Sequence, residues 1–185
     1  MSIFRRLASI LLSLAIPLVA LAGQPKTDST PLIEKVRAAT ERYRELSVAL
    51  AEGFVQGTPC VSGPDTGAMG VHFVLPARIN GPAAVMNGGI LQADQPEALI
   101  YEPMPGGAMR LVGVEYIVLA SIWAGKNPAG STPALDGDLL NYIAEPNRFG
   151  LPAFYEIHVW AWEQNPKGSF ADWNTHVSCV DQPST

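Results

Sequence analysis

From Ile33 onward, apolar or small residues recur at three- and four-residue steps: Ile33, Val36, Thr40, Tyr43, Ser47 and Leu50, with Leu46 beside them. Glu34, Arg37, Glu41, Arg44, Glu45 and Glu52 fill much of the remainder. Side chains at that spacing share one side of a helix, so the pattern predicts an amphipathic helix packed on a core. Thr30 followed by Pro31 supplies its start, a capping hydroxyl and then a residue that needs no N–H partner. Gly53 is placed to end it.

Beyond Gly53 the period changes. "AMGVHFVLP", "EALIYEP", "AMRLVGVEYIVLA" and "FYEIHVWAW" are short apolar runs between glycines and prolines, and each predicts a strand. "EPMPGGAMR" joins the second to the third as a hairpin loop, because Pro and Gly-Gly punctuate two β-rich runs. A loop-rich insert separates the third from the fourth, with one short helix expected around Leu135–Ala144. The expected class is α+β: an N-terminal amphipathic helix on a small, mainly antiparallel sheet with long loops. No internal repeat or second-domain boundary is visible, so residues 31–185 are expected to form one domain.

The fourth run raises the question of function. Tyr155, Ile157, Val159 and Ala161 alternate with Glu156, His158, Trp160 and Trp162. A strand sends alternate side chains to opposite faces, so one face is apolar. The other carries an acid, an imidazole and two indoles. A second anomaly is Glu115 in "LVGVEYIVL". Leu111, Gly113, Ile117 and Leu119 share its face, and Val112, Val114, Tyr116 and Val118 take the other. Both faces are apolar, which predicts a strand covered on each side. A carboxylate there costs several kcal/mol unless it is paired, hydrogen-bonded, protonated or bound to a metal. Glu102 closes the apolar run across the hairpin, and His72 falls in mid-strand like His158.

Imidazoles and carboxylates on neighbouring strands form a ligand set suited to Zn, Fe, Mn or Cu rather than Ca or Mg. His72, Glu102, Glu115 and His158 are the candidate metal ligands. No HxH or HExxH pair supports them, and alternatives stay open. Each histidine has the option of a carbonyl or acid partner, and Glu115 that of an ion pair with Arg110, Arg78 or Arg148. Trp160, Trp162 and Tyr116 are candidate ligand-binding aromatics, since flat rings beside polar groups line pockets for small molecules. Core packing is the alternative for them. His176 belongs to a terminal loop and is given no role. Nucleophile-elbow, P-loop, haem-attachment and zincin patterns are all missing.

Composition sets the compartment. Arg5 and Arg6 precede an uncharged apolar run from Leu7 to Ala22 that ends in small residues, the pattern of a cleaved signal peptide over residues 1–22. A retained anchor is the alternative. Gln24 stands where a lipoprotein would need cysteine, so no stable membrane anchor is expected, and residues 23–30 form a flexible leader. Cleavage leaves 163 of the 185 residues and, by removing Arg5 and Arg6, moves the formal charge from −5 to −7. An acidic chain without a basic run argues against nucleic acid as a partner. Two cysteines in an oxidising compartment predict a Cys60–Cys179 disulfide.

The motifs "GFVQGTPCV", "GAMGVHF", "PEALIYEP", "RLVGVEY", "HVWAW", "NPKGSFADWN" and "VSC" span most of the chain after residue 22. In that combination the chain resembles an uncharacterised family of small secreted bacterial proteins. The resemblance implies kinship and export, and carries over no activity, cofactor or catalytic residue. The expectation is a periplasmic or secreted domain that binds a metal ion or a small molecule, with metal-assisted hydrolysis or oxidation as its enzymatic form. A metal-free module with a tryptophan-lined pocket, or a structural envelope protein, are the alternatives.

Overall fold

Thr30 caps the first helix as its position demands, its side-chain oxygen accepting the backbone N–H of Ile33 at 3.4 Å. The computed structural model describes residues 30–63 and 65–182. The expected signal segment 1–22 and residues 23–29 of the leader lie outside them. Helix α1 (Pro31–Thr40) buries Leu32, Ile33, Val36 and Thr40. A 3-10 turn follows at Glu41–Arg44, the backbone extends at Glu45, and α2 runs over Leu46–Ala51. The single helix expected up to Gly53 is therefore two. The cause is tertiary: the Tyr43 carbonyl accepts the Tyr101 hydroxyl at 2.6 Å, while the Tyr43 ring is buried. Gly53 does end the second helix, at φ +94°.

The chain continues through β1 (Val55–Gln56), β2 (Val61–Gly63), β3 (Gly67–Val74), α3 (Pro76–Ile79), α4 (Pro82–Asn87), β4 (Ala98–Pro103) and β5 (Met109–Leu119). Then come α5 (Ala120–Lys126), β6 (Ala134–Leu135), β7 (Asp138–Leu139), β8 (Asn141–Ile143) and β9 (Phe154–Val159). The main sheet has the order β1-β3-β4-β5-β9-β8, with β2 also on β3, and its neighbours pair antiparallel. The four apolar runs are its four longest strands. The helix expected around Leu135–Ala144 is absent. Asp136 and Gly137 take positive φ, 49° and 102°, and close a β6–β7 hairpin instead. That dipeptide favours a tight two-residue turn, and it overrides the apolar spacing around it.

Both faces of β3, β4 and β5 are covered. On one, Phe73, Leu99, Tyr101, Val114, Tyr116, Ile157 and Val159 pack with α1 into the main core. The other holds two smaller clusters. Ile100, Val112 and Trp160 meet Val177 in the first, and Ile79, Ala98, Ile117 and Phe154 form the second. The first is roofed by the C-terminal segment. Asn174 and Ala68 exchange backbone hydrogen bonds at 3.0 and 3.1 Å, and Cys179 is joined to Cys60 across a separation of 119 residues. Among the described residues, no helix is long and apolar enough to cross a membrane.

Candidate metal centre

Between those two apolar clusters lies a polar group. The register aligns Ala98, Glu115 and His158 across β4, β5 and β9, and pairs His72 with Ile100 one step away. Strands two apart in a sheet are separated by about 10 Å, so His72 and Glu115 meet only by leaning over β4. On β4, Glu115 lies opposite the small, fully buried Ala98 and His72 lies opposite Ile100, so the two meet on a diagonal across that strand. His72 Nε2 stands 3.3 Å from His158 Nε2 and 3.5 Å from Glu115 Oε2. Ligand atoms of the three residues all fall within 4.8 Å of one another.

The far side of each imidazole is held as well. His158 Nδ1 is 3.0 Å from Glu156 Oε2 and 4.0 Å from Asp172 Oδ1. Asn141 steadies both acids, its Nδ2 lying 3.2 Å from Glu156 Oε1 and 3.4 Å from Asp172 Oδ1. His72 Nδ1 is 3.2 Å from Thr58 Oγ1. Trp160 stacks on His158 with centroids 6.0 Å apart and planes 20° apart. Gly113 permits this, because a Cβ there would meet the Val159 carbonyl at 2.9 Å and the Trp160 ring at 3.3 Å.

Burial and charge set the protonation states. Burial and the neighbouring charge of His158 push the His72 imidazole down to about 3, so it is neutral. Burial also opposes charge on His158. The Glu156 hydrogen bond and the charges of Glu115, Glu156 and Asp172 outweigh it and bring His158 up to about 9. Burial pushes the Glu115 carboxyl up to about 8, with Glu156 and Asp172 adding to the rise against the opposing pull of His158. At neutral pH His158 Nε2–H therefore donates to His72 Nε2. That fixes the remaining His72 proton on Nδ1, where it is donated to Thr58 Oγ1.

The expected site residues separate into two groups. His72, Glu115 and His158 converge. Among the described residues no arginine pairs with Glu115, whose contact is the neutral His72 imidazole and whose charged neighbour is His158. Glu102 does not join them. It sits four residues along β4 from Ala98, about 13 Å of strand, where it pairs with Arg110 and accepts the Ser178 N–H at 2.9 Å. Tyr116 projects to the opposite, helix-covered face and donates to the Ala93 carbonyl at 2.6 Å. Trp162 leaves the expected alternation. β9 ends at Val159, the N–H groups of Trp162 and Glu163 both turn to the Val112 carbonyl, and the Trp162 indole donates to Thr40 Oγ1 at 3.0 Å. Trp160 is on the expected face, though as a buried support for His158.

Glu156, Asp172 and Thr58 were not in the expected ligand set. Glu156 was visible two residues from His158 on the same strand face, whereas Asp172 and Thr58 lie in loops that carry no periodic signal. Glu97, beside the start of β4, is another buried acid, accepting the Ile117 N–H at 3.2 Å. Burial raises its carboxyl from the ordinary 4.5 to about 8. Between those values the fold keeps a proton that the unfolded chain gives up, so stability falls as pH rises through that window. Glu97→Gln should remove this dependence. Thermal melts should show a variant more stable by on the order of 2 kcal/mol at pH 8 and unchanged at pH 4.

One cavity of about 90 Å³ borders the centre, with Thr58, His72 and Glu115 in its wall. Neither Trp160, Trp162 nor Tyr116 lines it. Comparisons of the chain with protein families, with curated proteins and with solved structures give no match.

Proposed function

We propose that the protein is an extracytoplasmic metal-binding domain whose ion is held by His72 Nε2, His158 Nε2 and Glu115 Oε2. The observation that carries this reading is the orientation of the two imidazoles, each with Nε2 turned inward and Nδ1 anchored outward. Ligating histidines are held in this way, their second nitrogen donating to a carboxylate or another oxygen, which fixes tautomer and ring orientation. Two imidazole nitrogens bound to one tetrahedral zinc at about 2.0–2.1 Å stand about 3.3 Å apart. The spacing of His72 and His158 matches that geometry. In the metal-free protein the His158 Nε2–H points along that line. An ion about 2.0–2.1 Å from both nitrogens would lie to one side of it, so binding would displace the proton and tilt each ring toward the ion.

Nitrogen and oxygen donors together favour zinc, iron, manganese or copper over calcium or magnesium. Three protein ligands leave a position for water or a polar ligand, where the ion would act as a Lewis acid. Glu115 and His158 would have to give up protons to bind it, and His72 would not. Export is supported by the disulfide and by the apolar run at residues 7–22, and kinship with small secreted bacterial proteins belongs to the same proposal.

Zinc titration of untagged protein, by calorimetry in buffers of differing ionisation heat, tests this. One ion per chain should bind at pH 7 with release of roughly one to two protons. Affinity should fall at least about tenfold per unit as pH drops from 8 to 6, because protons return to Glu115 and His158. Absence of stoichiometric uptake of zinc, cobalt, manganese, iron and copper alike would sink the metal centre.

A further inference from the structure

The cavity beside the centre has a chemical character of its own. Val74, Ile79, Ile117, Phe149, Leu151 and Phe154 supply most of its wall, and the polar groups gather at one end, from Thr58, His72 and Glu115. Ile117 lies two residues beyond Glu115 on the same face of β5, so the apolar wall begins where the ligand set stops. Its volume of about 90 Å³ is smaller than the roughly 150 Å³ void that takes up benzene. About four to six heavy atoms would fill it.

Among the described residues no arginine or lysine lines this space, and its charged-type groups are confined to the histidine and the carboxyl at one end. A second charge on a ligand would be desolvated against aromatic and aliphatic carbon without a partner. A sugar would leave most of its hydroxyls unpaired for the same reason. An aliphatic group with one oxygen matches both ends. We infer that the site takes a small, uncharged, mainly apolar molecule with a single carbonyl or hydroxyl oxygen, which is directed at Glu115 and His72 and, on the reading above, at the ion they hold.

The half of this inference that concerns the ion rests on the metal-centre reading, and the apolar half does not, so the probe is chosen to separate them. Methyl-labelled protein is titrated with 2-butanone, metal-free and zinc-loaded, and followed by NMR at Ile79, Ile117, Leu151 and Val74. Saturable shifts at these methyls are expected at millimolar ligand or below. Zinc should tighten binding about tenfold, and glucose should leave the methyls unmoved. Leu151→Trp, which fills the cavity from its loop side, should abolish the shifts at Ile79 and Ile117 while zinc uptake and the melting temperature stay near those of the parent. Methyls that ignore 2-butanone in a protein that binds zinc would overturn the inference and leave the metal centre standing. Shifts that survive Leu151→Trp would overturn it too, by placing the ligand elsewhere. Saturable binding in a protein that takes up no zinc would support the apolar pocket and count against the centre instead.

Discussion

His158→Ala should eliminate stoichiometric metal uptake, and Glu115→Gln should weaken it by at least about a hundredfold. The first removes one inward nitrogen of a pair 3.3 Å apart, and the second replaces an anionic oxygen with a neutral one. The supporting residues give an intermediate grade. Glu156→Gln leaves every ligand atom in place and weakens only the hold on His158 Nδ1, so affinity should drop about 10–100-fold. Glu102→Gln is the control. Its carboxylate faces Arg110 and Ser178, so metal affinity should not change. Competition titrations against a chromophoric chelator measure all four variants, with circular dichroism to confirm folding. If Glu115→Gln loses stability but keeps full affinity, the carboxylate is a structural partner of His72 and the ligand set is wrong.

The second large effect belongs to the disulfide. Cys60→Ser with Cys179→Ser should cost about 4–5 kcal/mol, because the bridge closes a loop of 119 residues in the unfolded chain. In a chain of this size that lowers the melting temperature by roughly 10 °C or more. The loss should also have a location. Residues 174–179 lie over Ala68, Ile100, Val112 and Trp160, and without the bridge they depend on the Ala68–Asn174 pairing, the Glu102–Ser178 contact and Val177. Hydrogen exchange should quicken first at Asn174 and Val177, ahead of β4 and β5. Uniform acceleration throughout the sheet would show that the bridge does not act through the C-terminal cover.

Much of this was legible in the sequence, and the failures have physical causes. Period-two alternation and apolar runs locate strands because burial acts residue by residue, so β3, β4, β5 and β9 could be seen. The break after Thr40 could not, since it depends on a hydroxyl 58 residues away capturing the Tyr43 carbonyl. Glu115 stood out as an acid between two apolar faces. Its partners were harder to choose, because register decides which acids meet which histidines, and register is set by turns and by the irregularity after Ile100. A register slip of one residue would set Leu99 in place of Ala98 opposite Glu115. Glu102 looked equivalent to Glu115 in composition and is four residues out of place. Trp162 shows the other limit: alternation predicts a face only while the strand lasts, and β9 stops three residues earlier.

The order of the chain also bears on when the centre comes into being. His72 and Glu115 are in place once β3, β4 and β5 have paired, yet His158 arrives on the last strand, and Asp172 and the Cys179 tether come later still. A chain in which β3, β4 and β5 have paired but β9 has not would hold an imidazole and a carboxyl beside Ala98 with the third group missing. An ion can be gripped from three sides only after β9 has paired with β5, and the cover over the neighbouring cluster is fastened only when the two thiols are oxidised. On the metal-centre reading, a partial fold that lacks a docked β9 offers an ion two ligands and holds it weakly, so tight uptake would report completion of the sheet.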